Sequence, residues 1–156
     1  MGIPNTVSEY LHSHEVDFTV VAHRPTVTSM ETAEAAHVPG DALAKGVVLE
    51  DGERYVLAVI PATHRLDAVA LEGLLDRELR MVGEHDFSVL FRDCRRGAVP
   101  AIGGAYGVTT VVDVALATRS DVYIEAGDHE NLIHVNQRGF EELMRGSERG
   151  AISYHV

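Results

Sequence analysis

Of the thirteen lysine and arginine residues in the chain, twelve are arginine and one, Lys45, is lysine. The two cations differ in shape, in hydration and in how readily burial shifts their proton affinity. Lys45 lies in the run Leu43-Ala44-Lys45-Gly46-Val47-Val48-Leu49, which reads as a strand. Strand alternation places Leu43, Lys45, Val47 and Leu49 on one face and Ala44, Gly46 and Val48 on the other. The ammonium then looks toward the bulkier apolar side, and burying it alone costs several kcal/mol. Lys45 therefore sits at the mouth of a cleft, pairs with an acid or, if the strand begins later, snorkels to solvent.

A second constellation is Gly97-Ala98-Val99-Pro100. Glycine permits turns whose N–H groups converge, and converging N–H groups can hold a carbonyl oxyanion or orient a water; the alternative is an ordinary surface connection. The third is Gly127-Asp128-His129, between two expected strands, with Asp113 at the end of another. A histidine beside a carboxylate can orient a water or a substrate hydroxyl near neutral pH, or it can be a plain exposed turn residue. His12 and His14 point to different faces of a helix, and His129 with His134 lacks the HExxH context of a zinc hydrolase, so no metal site is expected. Cys94 stands beside Asp93, Arg95 and Arg96 without a His or Asn signature and is expected to be inert, and its being the only cysteine excludes an internal disulfide. There is no G-x-S-x-G, no G-x-x-x-x-G-K-[ST] and no G-x-G-x-x-G.

The elements that must hold these groups follow from periodicity and punctuation. Val7, Tyr10 and Leu11 have helical spacing after Pro4, with Asn5 as a candidate cap, and Phe18 to Ala22 reads as a strand. Thr28 with Glu31 has the form of a capping box for a second helix, stopped by Val38-Pro39-Gly40. Leu43 to Glu50 and Glu53 to Ile60 flank Asp51-Gly52, the signature of a type I′ hairpin turn. Asp67 caps a helix with Val69, Leu71, Leu74 and Leu75 as its face. Leu79 to Val82 reads as a strand, and Glu84 to Phe91 as a short helix. Residues 92 to 107 carry too many glycines for regular structure and form a long loop. Val108 to Asp113, Asp121 to Glu125 and Leu132 to Val135 are expected strands, Asn136 caps a last helix, and the tail from Gly146 is expected to be loosely held.

At 156 residues and 17.0 kDa, with 46% hydrophobic and 24% charged residues, the chain is expected to be one folded domain spanning 1–156. No apolar run reaches the roughly 20 residues of a membrane helix, and the first residues lack a basic and an apolar signal region, so a cytoplasmic protein with no membrane partner is expected. A net charge of −11 argues against DNA and against any broad phosphate-tracking face.

Taken in order, Ala44-Lys45-Gly46-Val47-Val48-Leu49-Glu50, Tyr55 to Asp67, Cys94-Arg95-Arg96-Gly97-Ala98-Val99-Pro100, Val111-Val112-Asp113 and Ala126-Gly127-Asp128-His129 resemble the YbaK and prolyl-tRNA synthetase associated editing domain over about residues 20–145. The resemblance implies a free-standing trans-editing deacylase that hydrolyses the ester of a mischarged tRNA carrying a small amino acid such as Ala, Cys, Ser or Thr. It implies no cofactor and no metal, and its partners would be the acylated tRNA 3′ end and a synthetase. The key cation would be Lys45, Gly97 would position carbonyl and water, and Asp113 and His129 would be the acid after the Val-Val strand and the turn histidine. Ala98 would add a second N–H for the oxyanion, with Val99, Pro100, Gly127 and Asp128 lining the substrate, and the terminal ribose hydroxyl would share in the chemistry. Relatives carry Gly-x-x-x-Pro, whereas here Ala101 stands four residues after Gly97 and only Pro100 remains. A non-catalytic module that binds an aminoacyl-tRNA end or a synthetase is the alternative. Pattern and resemblance together give an α+β domain with a mixed, mainly antiparallel, partly barrel-like sheet surrounded by four or five helices.

Overall fold

The computed structural model describes residues 2–156. Its spine is the hairpin of β2 (Leu43–Glu50) and β3 (Tyr55–Pro61), paired from Ala44↔Pro61 to Glu50↔Tyr55. The turn tip falls one residue later than expected, on Gly52-Glu53: Asp51 N–H donates to Arg54 O, while Asp51 Oδ1 accepts from the N–H groups of Glu53 and Arg54. Of the two tip residues only Gly52 has positive φ (96°), so the turn is not type I′, which requires both. From Val56 to Pro61 every residue of β3 is buried, which explains why it reads as apolar on both faces.

Around this hairpin the sheet runs in the order β1-β8-β7-β2-β3-β6-β9, with β5 joined to β2. The added strands are β1 (Thr19–Ala22), β5 (Arg80–Met81), β6 (Thr109–Asp113), β7 (Asp121–Glu125), β8 (Asn131–Asn136) and β9 (Glu148–Gly150). The β7–β2, β3–β6 and β6–β9 pairs are parallel and the rest antiparallel. The fold is thus α+β on a mixed, mainly antiparallel sheet that curls without closing. A separate ribbon pairs β4 (His64–Leu66) with β10 (Ser153–His155).

Six helices surround the sheet: α1 (Asn5–Ser13), α2 (Ser29–Ala36), α3 (Ala68–Leu75), α4 (Glu84–Phe87), α5 (Val114–Ala117) and α6 (Gln137–Leu143). Thr28, Asp67 and Asn136 cap α2, α3 and α6 through bonds from Glu31, Ala70 and Gly139, as their sequence patterns predict. At α1 the cap position is Pro4 and Asn5 is already helical. Val69 and Leu74 do not join the core face of α3; Val69 is 79% exposed, and Leu71 alone is buried. The tail is not loose: it supplies two strands, buries Ile152 and fastens Val156 N–H to Thr63 O.

One large core, including Val7, Leu57, Ile102, Val112 and Phe140, lies on the Val48 face of the hairpin, and a smaller one around Ile60, Leu71 and Ile152 lies on the Leu49 face. Among the described residues no helix is long and apolar enough to cross a membrane.

Candidate functional site

β2 is paired with β3 on one edge, but its other edge is shared by two strands that do not meet. Parallel β7 pairs at Leu43 and Ala44, and antiparallel β5 pairs at Leu49 and Glu50. Leu43 O accepts from Ala62 on the β3 side, while Val48 O accepts from Val82 on the β5 side. Alternation then turns the N–H and C=O of Gly46 into the opening between β7 and β5. Among the described residues neither group has a hydrogen-bond partner.

This opening floors a cleft of about 300 Å³. Its walls include Lys45, Gly46 and Val47 of β2, Gly97, Ala98 and Val99 of the long loop, Thr28 and Ser29 at the start of α2, and Glu125 and His129 beside the β7–β8 turn. Val27 and Met81, both well exposed, stand on its rim. Loop and strand meet at Gly46, where a Cβ would lie 2.8 Å from Val99 Cγ1, so the bare α-carbon is what lets Val99 seat against β2.

Lys45 emerges on the Leu43 face, as alternation predicts, and is half-buried. Its Nζ donates to Ala62 O at 3.4 Å, a long contact, and among the described residues no carboxylate lies within ion-pair distance. Of the three placements open to it, the structure takes the cleft mouth without an acid. Desolvation, and after it the charge of Arg65, holds its pKa below the usual lysine value.

The loop is fastened to the β7–β8 turn. Arg95 N–H donates to Gly127 O at 2.7 Å, and the His129 ring donates through Nε2 to Arg96 O at 2.8 Å. A carbonyl only accepts, so this bond places the His129 proton on Nε2 and leaves Nδ1 open. Ala98 N–H closes back onto Arg95 O at 3.0 Å. It is therefore not available to an oxyanion, which corrects its expected role; the N–H groups of Gly97 and Val99 have no protein partner among the described residues. Pro100 and Ala101 are buried behind the cleft wall.

Three other expected residues build the frame. Asp113 is 2% exposed and spends its carboxylate on Ala115 N–H, Ile152 N–H and the Ser153 hydroxyl. It caps α5 and anchors the tail, and the fold does not bring it beside His129. Asp128 is fully buried and folds the turn by accepting from Glu130 N–H, Asn131 N–H and Asn131 Nδ2. Gly127 holds φ at 117°, and a Cβ there would meet Cys94 Sγ and Pro4 at 2.8 Å. Cys94 is half-buried against Tyr106, and desolvation above all pushes its thiol up to about 11. That is the opposite of activation.

Glu125 is the cleft residue that sequence reasoning missed. Its Oε2 accepts from Gly127 N–H at 2.7 Å and Asp128 N–H at 3.2 Å, and desolvation raises its pKa in spite of those bonds. The available signal was an acid closing a strand two residues before a Gly-Asp turn.

The sequence profile of the aminoacyl-tRNA editing domain matches residues 23–143. Among solved structures, the hypothetical protein APE2540 superposes with a TM-score of 0.84 at 22% identity, over 96% of this chain and 100% of that one. A protein proposed to be a trans-editing enzyme for prolyl tRNA synthetase superposes with a TM-score of 0.79 at 17% identity, over 98% and 99% of the two chains. At such identities these likenesses establish the fold alone. No curated protein sequence matches. With more than two thirds of its length matching that profile, including the strand of Lys45, the loop and the turn, the chain belongs to the aminoacyl-tRNA editing domain family.

Proposed function

We propose that the protein is a trans-editing deacylase that hydrolyses the ester between a small amino acid and the 3′ end of a mischarged tRNA, in the cytoplasmic compartment where tRNA is charged. The observation that carries this reading is the break in the β2 edge, where an unpartnered Gly46 N–H adjoins an acid-free Lys45. An ester needs an oriented water, donors for the developing oxyanion and a nearby cation. Gly46, Gly97 and Val99 line the cleft with backbone N–H groups that have no protein partner among the described residues and act as such donors, and Lys45 supplies the cation near the ribose and phosphate oxygens. Water adds to the ester carbonyl, the bond from that carbon to the ribose oxygen breaks, and that oxygen leaves with a proton. The neighbouring ribose hydroxyl relays this proton, and no protein nucleophile takes part. His129 acts through the loop it holds, with its Nδ1 free of any protein partner among the described residues. The esters expected to be cleaved are those of short side chains such as Ala, Cys, Ser and Thr.

A panel of mischarged tRNAs tests this reading. Wild-type protein releases the amino acid from at least one small-residue ester, in the presence of a chelator as well. Lys45→Ala lowers kcat/KM by about 100-fold or more, the scale of losing one preorganised charge stabiliser. Wild-type binding without turnover across the panel would replace the enzyme with a non-catalytic module that recognises an aminoacyl-tRNA end or a synthetase.

A further inference from the structure

Beyond the last paired residues of β2 and β7, Ala44 and Ile124, the next positions are Lys45 and Glu125. They fall on one face of the sheet, the face of Leu43 and Tyr123, where a lysine and a glutamate ordinarily form an ion pair. They do not pair: Lys45 Nζ turns to Ala62 O, and Glu125 Oε2 turns to the Gly127 and Asp128 N–H groups. Oε1 of Glu125 is left with no partner among the described residues, and Glu125 lines the cleft.

We infer that Glu125 receives the α-ammonium of the aminoacyl group, so that the cleft reads a free amine as well as an ester. Building on the deacylase reading, this names the group that distinguishes its substrates. An aminoacyl ester carries its cation one carbon from the carbonyl, and its anionic and polar oxygens lie on the other side, toward the ribose. The divergent heads of Glu125 and Lys45 match that polarity. Two backbone N–H groups orient the carboxylate without neutralising it, and desolvation works against its charge, so a bound ammonium supplies the missing counter-charge. Esters whose amine is acylated, peptidyl esters among them, lack that cation and leave Glu125 buried against an amide.

The test uses two non-hydrolysable mimics, 3′-deoxyadenosine carrying a 3′-alanylamide or a 3′-propionylamide, titrated by calorimetry into wild-type protein and Glu125→Gln. The wild type is expected to bind the alanyl mimic at least about tenfold more tightly, in line with a charge-assisted hydrogen bond. Glu125→Gln keeps an oxygen for the Gly127 and Asp128 N–H groups, and its fold is verified by its circular dichroism. It is expected to bind the two mimics equally. Equal affinities in the wild type, or an undiminished alanyl preference in Glu125→Gln, would overturn the assignment. Failure of deacylation with the alanyl preference intact would sink the hydrolase reading and leave the ammonium site standing.

Discussion

Gly46 joins the two halves of the cleft, because its missing side chain seats the loop while its backbone faces the opening. A Cβ there would come within 2.8 Å of Leu57 Cδ1 and Val99 Cγ1. Leu57 is fully buried, so Val99 and its loop are the partners that must yield. Overpacking of this kind costs about 1–3 kcal/mol in stability, and a shift of about 1 Å in a positioning loop costs about 100-fold in rate. Gly46→Ala is therefore expected to lose far more activity than stability, and adding Val99→Ala is expected to restore part of kcat by removing the clashing methyl groups. A double variant no better than Gly46→Ala would place the defect in the strand and not in the loop. Lys45 was legible because alternation alone assigns its face. The roles of Asp113 and Asp128 were not, since a carboxylate that caps a buried backbone and one that meets a substrate look the same until the N–H groups around them are placed.

At the scale of elements, the long loop gets its shape from hydrogen bonds, with Ala101 standing where the family resemblance leads one to expect a second proline. Besides its two bonds to the β7–β8 turn, it is held from the other side by Asp93, which accepts from Thr6 N–H at 2.9 Å and from the Tyr106 hydroxyl at 2.8 Å. The start of α1, the loop and the segment before β6 thus share one carboxylate. Desolvation opposes its charge, but these bonds prevail and hold its pKa below the usual carboxylate value. A pKa lower in the folded state means a stabilising contribution that is present above the unfolded value of about 3.9 and is lost as pH falls through the folded one. Asp93→Asn is accordingly expected to melt below the wild type at pH 7, with the gap closing toward pH 3; a gap constant with pH would show that the carboxylate charge is not what holds the loop. Most helices and strands were legible, from Thr28, Asp67 and Asn136 as caps and from the alternation of the hairpin. The tail was not, because β9 and β10 are three residues each and are fixed by remote partners, β6 and Asp113 about forty positions away and the Leu66 strand about ninety. Short strands set by remote pairing leave little periodic pattern to read.

Across the whole molecule the charge is −11, and a tRNA must approach against that field. Beside the cleft runs a groove lined by Arg95 and Arg96 together with the acids Glu84, Asp128 and Glu130, sharing Val27, Gly97 and His129 with the cleft; under the proposed function its two arginines are the groups expected to meet the phosphates next to the acylated end. Arg96 leans on Glu84 at 3.7 Å, both side chains exposed, while Arg95 has no ion pair among the described residues. Replacing both by alanine is expected to raise KM with kcat nearly unchanged and to flatten the salt dependence of binding by about one to two phosphate contacts. An unchanged salt slope would move the tRNA path elsewhere. The opening in β2 also answers how a bare strand edge escapes β-augmentation. Only residues 45–48 lie between the ladders, about 13 Å of strand at roughly 3.3 Å per residue, and β7 and β5 stop both ends. A polypeptide pairing there would have to run through those neighbours, so backbone groups that invite any extended chain admit only a ligand that terminates within the gap, as an amino acid does at its amine.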